Sequence, residues 1–248
     1  MRTEDIFALG LGLTPPWQVL SQRLDTEKAP HELHLDLGAD RGATYPCPTC
    51  GRKCKAHDFE EFTWRHLNFF QHHCYLTARV PRVTCPNHGT RRIVVPWSRP
   101  GSNFTLLFEQ VVMTLAREMP VATVASFVGT TDKRLWRIIN HYVAEAMKRV
   151  DLSRLRAFGL DETACKRGHR YVTIFIDLDR EDRPVVFATE GKGKQTVQLF
   201  RDHLITKGGH PNRVLEVVSD MSGSFVAAVE EHRSEEHTSE LQSHHDLV

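Results

Sequence analysis

Short stretches with the pattern of β-strands recur in the first hundred positions of this chain. In Glu32–Leu37, three leucines alternate with polar residues, which is the two-residue period of a strand with one buried face. Similar patterns predict strands over Trp17–Leu24, Trp64–Phe70 and Cys74–Val83. We expect residues 1–40 to be an N-terminal scaffold segment that carries no chemistry.

The hydrophobic period becomes helical after Asn103. A first predicted helix contains Leu106 and Leu115 and ends before Pro120. The apolar stretch that follows contains Ala125, which is small enough to allow close helix crossing, and Gly129 then makes a turn. These features predict two consecutive helices joined by a tight turn.

The segment after Gly129 completes the pattern of a helix-turn-helix. Thr131 can cap the next helix, while Leu135, Ile138 and Ile139 face inward. The other face would present four polar residues to a DNA groove or to phosphates, namely Asp132, Lys133, Arg134 and Arg137. An ordinary helical hairpin has the same period and remains the alternative.

From Arg156 onward, strands alternate with a helix. The predicted strands are Ala157–Leu160, Tyr171–Asp177, Arg183–Thr189 and Val214–Ser219, with a helix over Gln195–Ile205 that Gly208-Gly209 closes. The last strand would return parallel to the first through the crossover helix. This order is that of the opening half of a ribonuclease-H-like sheet.

Two of these predicted strands end on an acid, Asp161 and Asp220. Carboxylates at the ends of adjacent strands could hold two Mg²⁺ ions for phosphodiester chemistry, or each could cap a strand end or a following helix. The basic turn after Asp161 could hold phosphates or only solvate the hairpin; its residues are Lys166, Arg167, His169 and Arg170. The acids between 177 and 182 are assigned to a turn.

Two short motifs carry metal-ligand spacing: Cys47-Pro-Thr-Cys50-Gly and Cys85-Pro-Asn-His88-Gly. Each places two soft ligands two residues apart in a tight knuckle, and two knuckles supply a closed tetrahedral zinc site. The alternative is a coincidence of buried cysteines. Cys54 could replace His88, but its isolation favours a spare or packing role, and the role of Cys74 stays open. With the strands between the knuckles, this predicts a zinc-ribbon-like module carrying one zinc ion per chain.

Composition adds a local basic region to this picture. The 248 residues have a net charge of +1, but residues 41–100 carry ten Lys/Arg against three acids. Such a segment fits a polyanion, or equally a solvated basic face. No apolar run approaches the length of a membrane helix. Six cysteines without a secretory pattern predict a reducing, cytoplasmic location.

The order of these parts, from about residue 15 to residue 232, resembles the transposases of the ISL-three insertion-sequence family. The resemblance rests on the two zinc knuckles, the helix-turn-helix, the segment Gly-Leu-Asp161-Glu with Arg167-Gly-His-Arg-Tyr171, and Val-Val-Ser-Asp220-Met. It implies a DDE-type enzyme that cuts element ends and joins them to target DNA, with Asp161 and Asp220 as the first two catalytic acids. The matching zinc positions are Cys47, Cys50, Cys85 and His88.

The resemblance also implies partners and cofactors. A complete protein would bind double-stranded DNA at terminal inverted repeats and at the target. It would use Mg²⁺ or Mn²⁺ for catalysis and zinc for structure. It would also form a homo-oligomer and associate with a bacterial nucleoid. The expected DNA-binding residues are Lys133, Arg134, Arg137, Arg167 and His169. The competing hypothesis is a zinc-containing helix-turn-helix regulator without catalytic activity.

One departure from the family pattern concerns the third acid, a glutamate on a later helix. Glu230 and Glu231 come too early, and the ending from Arg233 resembles a translated sequencing adapter, so we expect a C-terminally truncated chain that binds DNA without cleaving it. The fold class predicted is multi-domain α+β. The boundaries are 1–40 scaffold, 41–100 zinc module, 101–152 helix-turn-helix, 153–232 partial ribonuclease-H-like domain and 233–248 unstructured tail.

Overall fold

The computed structural model describes residues 3–39, 42–166 and 170–219. The chain forms two compact units, Met1–His141 and Tyr142–Val248, with the boundary inside a helix. In the described part of the chain, no helix is long and apolar enough to cross a membrane.

The first unit contains a mixed β-sheet. After the short helix α1 (Thr3–Gly10) come β1 (Trp17–Asp25), β2 (Glu32–Ala39), β3 (Thr44–Pro46), β4 (Lys53–Phe69), β5 (His72–Cys85) and β6 (Gly89–Arg92). The strand order is β1-β2-β5-β4-β3, with β6 paired to β5. Strands β2 and β5 run parallel, and the other pairs are antiparallel.

The alternating leucines of β2 bury one face of this sheet, as predicted. Leu33, Leu35 and Leu37 lie in one core with Trp64 and Trp97, whose rings meet edge to face at 5.6 Å. Strands from the predicted scaffold segment therefore hydrogen-bond into the same sheet as the zinc-binding strands. The division of these residues into domains stays a prediction.

Strands β4 and β5 are longer than their apolar residues predict. The antiparallel register runs from Ala56 opposite Val83 to Phe69 opposite His72. Between Lys53 and Thr63, the residues of β4 are mostly polar, since much of this part of the strand faces solvent. Only the apolar end of the strand could therefore be found from hydrophobicity.

Three helices complete the first unit: α2 (Leu106–Glu118), α3 (Val121–Val128) and α4 (Asp132–Lys148), the last of which continues into the second unit. The side chain of Thr105 caps α2 by accepting the Phe108 N–H. Gly129 ends α3 at φ 67°, a left-handed conformation that favours glycine. Leu135 and Ile138 are buried, so the predicted helix-turn-helix is present.

Within the described residues, the second unit holds a smaller sheet and one further helix after α4. Its elements are β7 (Ala157–Lys166), β8 (Arg170–Asp177), β9 (Val185–Glu190), α5 (Lys194–Thr206), a 3₁₀ turn (Pro211–Arg213) and β10 (Glu216–Ser219). The strand order is β10-β7-β8-β9, and β10 is parallel to β7 as predicted. The core includes stacked rings of Phe175 and Phe200, 4.2 Å apart.

One strand boundary differs from the prediction in a way that concerns Asp161. The sequence pattern ends the first strand at Leu160, whereas β7 continues to Lys166 and places Asp161 inside the strand, opposite Ile174 of β8. The extension arises because the polar residues after Leu160 pair with the β-branched run of β8, as in Thr163 opposite Val172.

Candidate metal centre, exposed helix face and acidic strand

The two knuckles are tight turns at the ends of paired strands. In the first, Cys47 N–H donates to the Arg52 carbonyl at 2.8 Å, and Gly51 takes φ 72° between them. In the second, His88 N–H donates to the Cys85 carbonyl at 3.3 Å, and Gly89 takes φ 67°. The glycine after each motif therefore closes its knuckle, as the sequence spacing indicates.

The four side chains of these knuckles converge. One ligand atom from each of Cys47, Cys50, Cys85 and His88 lies within 4.8 Å of the other three. Sγ of Cys50 and Sγ of Cys85 are 3.8 Å apart, and Nδ1 of His88 is 3.7 Å from Sγ of Cys47 and 3.6 Å from Sγ of Cys85. Bond lengths of about 2.0–2.3 Å place tetrahedral zinc ligands roughly 3.4–3.8 Å apart, so these residues fit the ion.

Backbone N–H groups prepare two of the thiols for a metal. The Asn87 N–H, together with the neighbouring His88 ring, lowers the pKa of the Cys85 thiol to about 6. The Thr49 N–H likewise lowers the pKa of Cys47. Since the thiolate is the form that binds zinc, these groups favour the bound state near neutral pH.

The other two described cysteines lie outside this group of four. Cys54 is buried beside it, and its thiol donates to the Arg52 carbonyl at 3.5 Å. Cys74 is buried in the sheet, where desolvation raises the pKa of its thiol to about 11. His88, not Cys54, takes the fourth position in the geometry.

Helix α4 presents the polar face that the sequence predicts. Asp132, Lys133, Arg134 and Arg137 are all exposed. Arg134 is partly engaged, because its guanidinium carbon lies 4.9 Å from the ring centroid of Phe104. Sequence reasoning missed the aromatic Trp136 on the same helix, whose side chain is 48% exposed.

The acidic strand separates two adjacent carboxylates into different environments. Asp161 is exposed on β7, whereas Glu162 turns toward α5, where its Oε1 accepts the Gly193 N–H at 2.9 Å. Glu162 thereby caps a helix whose own N-cap residue offers no side chain. Parallel pairing of β10 with β7 reaches Ser219 opposite Leu160, the residues that precede Asp220 and Asp161 in sequence. Asp220, Arg167 and His169 themselves lie outside the described residues.

Asp179, Glu181 and Asp182 lie in the turn after β8, as predicted, whereas Asp177 is the last residue of β8 itself. Asp177 Oδ1 accepts the Asp179 N–H at 3.0 Å. Asp179 Oδ2 accepts the N–H groups of Arg156 and Ala157 at 2.5 and 3.0 Å. These carboxylates therefore fix the chain where β8 ends and β7 begins.

Comparisons with known proteins match the same three regions in order. Residues 44–88 match a zinc-finger of transposase IS204/IS1001/IS1096/IS1165, residues 94–143 match the helix-turn-helix domain of transposase family ISL3, and residues 158–236 match a transposase model of the same group. No solved structure matches.

Curated relatives agree with these matches. The transposase for insertion sequence element IS1557 of Mycobacterium tuberculosis is 34% identical over 161 residues, which cover 64% of this chain and 36% of the relative. The transposase for IS1001 of Bordetella parapertussis is 25% identical over 195 residues, covering 75% of this chain and 45% of the relative. The chain thus spans less than half the length of these relatives. With a zinc-ligand cluster, a helix-turn-helix and the transposase region in the family's order, the chain belongs to the ISL3 family of transposases.

Proposed function

We propose that this chain binds the terminal inverted repeats of a bacterial insertion sequence, and that its full-length form cleaves DNA strands and transfers them to target DNA. The observation that carries the proposal is the exposed polar face of α4, which includes three cationic side chains. A second helix of a helix-turn-helix commonly enters the major groove, and cationic side chains there contact phosphates and base edges.

Within α4, Lys133 and Arg137 are one turn apart and share a helix face. We assign both to DNA contact. Arg134 contributes a phosphate contact from its position against Phe104. Arg167 and His169, from the basic turn that follows β7 in sequence, are assigned to phosphates on the basis of sequence alone.

Zinc has a structural role in this proposal. Four protein ligands leave no open position for substrate, and the ion would join the turn before β4 to the turn after β5. The cross-link fixes two strand ends of the sheet, which packs against the helix-turn-helix through Arg65, His66 and His73.

Catalysis is assigned to Asp161 and Asp220 as carboxylate ligands of Mg²⁺ or Mn²⁺. Such ions, when bound by a complete set of acids, activate the attacking oxygen and stabilise the leaving one in phosphoryl transfer. This chain's own contribution is an exposed carboxylate on a strand fixed between two neighbours, with Glu162 engaged as a helix cap. Strand cleavage and assembly into a homo-oligomer on the nucleoid are assigned to the full-length protein, so this chain is expected to bind DNA without cutting it.

The test is a titration of the zinc-loaded chain with duplex DNA at several salt concentrations. Replacing Lys133 and Arg137 by Ala should weaken binding and lower the slope of log affinity against log salt by about 2. Lys148→Ala, at the far end of α4 and 69% exposed in its side chain, is the matched control and should keep the slope. An unchanged slope in the double variant would contradict the assignment.

A regulator without catalytic activity would bind DNA in the same way but would need neither Asp161 nor Asp220. The match of residues 158–236 to a transposase model favours the enzyme. In a full-length relative carrying this sequence, replacing Asp161 or Asp220 by Ala should abolish strand cleavage and leave binding intact. Persistent cleavage would remove both residues from the proposed metal site.

A further inference from the structure

A cavity of about 360 Å³ opens beside the first zinc knuckle, in a part of the molecule that the proposed function does not use. It lies between β4 and the segment 92–103 that leads from β6 into α2. Its size falls within the range of small-molecule pockets, roughly 300–1,000 Å³.

Aromatic and apolar side chains make up most of its walls. Phe62 and Trp64 of β4 line it, together with Val80 and the run Ile93–Val95. The guanidinium carbon of Arg92 lies 4.3 Å from the Phe62 ring centroid, so a cation and an aromatic ring border the same space. A flat, π-rich ligand is the type that such walls stabilise by stacking.

An ion pair between Arg99 and the buried carboxylate of Glu109 holds the polar side of the cavity in place. Glu109 is fully buried; its Oε2 accepts from Arg99 Nε at 2.9 Å, and its Oε1 accepts from the Ser102 hydroxyl at 2.6 Å. Arg99 and Ser102 both line the cavity. Since their positions are fixed by a carboxylate beneath them, the cavity does not need to form when a ligand arrives.

One side chain at the rim suits recognition of a heterocycle edge. Asn103 lines the cavity and is exposed, and its side-chain amide offers both a donor and an acceptor. Its backbone carbonyl accepts the Arg65 N–H at 2.9 Å, which anchors the residue. An amide next to stacked π surfaces is the combination with which proteins bind an unpaired base.

We propose that this cavity binds one unpaired nucleobase of DNA, stacked against the Phe62–Arg92 pair and hydrogen-bonded by Asn103. The inference rests on the proposed DNA-binding function, and it extends that function from groove contacts to capture of a base. The surrounding charge favours DNA. Arg91 and Arg92 lie at the end of β6, just before the apolar run Ile93–Val95, and residues 41–100 are basic overall. The base can come from a distorted duplex or from a single-stranded end.

The experiment compares three DNA probes with the zinc-loaded full chain: a short duplex, the same duplex with one bulged thymine, and the unpaired strand alone. The bulged duplex should bind at least about fivefold more tightly than the paired one. If only the unpaired strand is preferred over the duplex, the captured base comes from single-stranded ends. If only the bulged duplex is preferred, the base comes from distorted duplex. Either preference supports the cavity only if the variants below reduce it.

Arg92→Ala and Asn103→Ala should each lower this preference toward unity. Both side chains are at the surface, and Glu60, the partner of Arg92, keeps its contact with Arg82. Arg79→Ala is the matched control, because Arg79 also lies over an aromatic ring, Phe59, at 5.5 Å, but does not line the cavity. A preference that both cavity variants retain, or that the control variant also loses, would overturn the proposal.

A photochemical probe locates the base independently of affinity. 5-Iodouracil at the bulged position should cross-link to Phe62 or Trp64 on irradiation. A cross-link found only on α3 or α4 would overturn the cavity assignment while leaving the proposed DNA-binding function intact. If the wild-type chain binds none of the three probes, the proposed function and this inference both fail.

Discussion

Gly129 and His73 pack so closely that a Cβ atom added at Gly129 would lie 2.7 Å from His73 Nε2. Gly129 forms the turn before α4, and His73 is near the start of β5. The turn of the helix-turn-helix is therefore seated directly on the sheet that carries the zinc ligands. Its position relative to that sheet depends on the absence of a side chain.

The Gly129→Ala variant should be destabilised and should bind DNA more weakly. Two causes add, since φ 67° is strained for alanine and the methyl group would meet the His73 ring. We expect a loss of about 1–3 kcal/mol in the free energy of unfolding, measured by urea denaturation of the zinc-loaded chain.

Gly101→Ala is the matched control for this change, because Gly101 has φ 78° but no atom within 4 Å of the added Cβ. It should show the conformational cost alone. Adding His73→Ala to Gly129→Ala should recover the part due to the contact, as a double-mutant cycle measures. Equal losses in the two glycine variants, with no recovery, would mean that the contact is unimportant.

The features that sequence predicted well are local in the chain. The alternating leucines of β2, the Cys-x-x-Cys and Cys-x-x-His knuckles, and Gly129 at the turn each express their chemistry within a few residues. Short-range patterns of this type identify buried faces, ligand pairs and turns without knowledge of the rest of the fold.

The features that sequence missed depend on distant pairing. Parallel alignment of β2 with β5 joins residues about forty positions apart, and no local pattern encodes it. The role of Glu162 as a cap of α5, and the meeting of Phe62 with segment 92–103, likewise arise only when separate elements pack. The continuation of β7 past Asp161 was missed because its residues there are polar and their stabilising partner is β8.

Protonation of His66 should destabilise the first unit at acidic pH. Burial, helped by the nearby Arg65 charge, lowers the pKa of His66 to about 4. Its Nδ1 lies 2.9 Å from the Thr105 hydroxyl oxygen, which accepts the Phe108 N–H. The hydroxyl proton can then be donated to Nδ1, but only while the His66 ring is neutral. The unfolded chain, with an ordinary pKa near 6.5, binds the proton more readily, so stability falls as pH drops from about 6.5 to about 4.

Replacing His66 by Gln should remove this part of the pH dependence. Urea unfolding, monitored by tryptophan fluorescence, gives the free energy of unfolding at pH 7 and at pH 4. Between these pH values wild type should lose more stability than His66→Gln, by at most about 3 kcal/mol. Zinc release at low pH affects both proteins and cancels in that comparison. His57→Gln, on an exposed position of β4, should follow wild type. Parallel pH curves for His66→Gln and wild type would contradict the prediction.

Cys47→Ser should abolish stoichiometric zinc binding, whereas Cys54→Ser should retain it. Both cysteines are buried, but only Cys47 belongs to the group of four ligand atoms. Metal analysis of the purified chains should give about one zinc ion for wild type and for Cys54→Ser. Because structural zinc stabilises the folded state by many kcal/mol, chelation should also unfold the knuckles. Loss of zinc from Cys54→Ser alone would place Cys54 in the site.

Replacing Arg134 and replacing Lys133 should have different effects on stability but should both weaken DNA binding. The Arg134 guanidinium stacks over Phe104, so Arg134→Ala should lower both the free energy of unfolding, by about 0.5–1 kcal/mol, and the affinity for duplex DNA. Lys133 is exposed, and Lys133→Ala should lower affinity alone. Denaturation and salt titration of the same two variants test this. Equal stability losses in both would show that the stacking contributes nothing specific.

Neutral substitution of Glu162 should destabilise the start of α5, whereas neutral substitution of its neighbour Asp161 should not. Glu162→Gln removes the charge from the acceptor that caps α5 through the Gly193 N–H, and should destabilise the start of that helix by about 0.5–1 kcal/mol. Asp161→Asn changes an exposed side chain and should leave that helix unchanged. Amide hydrogen exchange in residues 194–197 measures the difference directly, since only the capped turn should exchange faster in Glu162→Gln. If Asp161→Asn accelerated exchange there as much as Glu162→Gln, Asp161 would be part of the support for α5, and its assignment to metal binding would lose its structural basis.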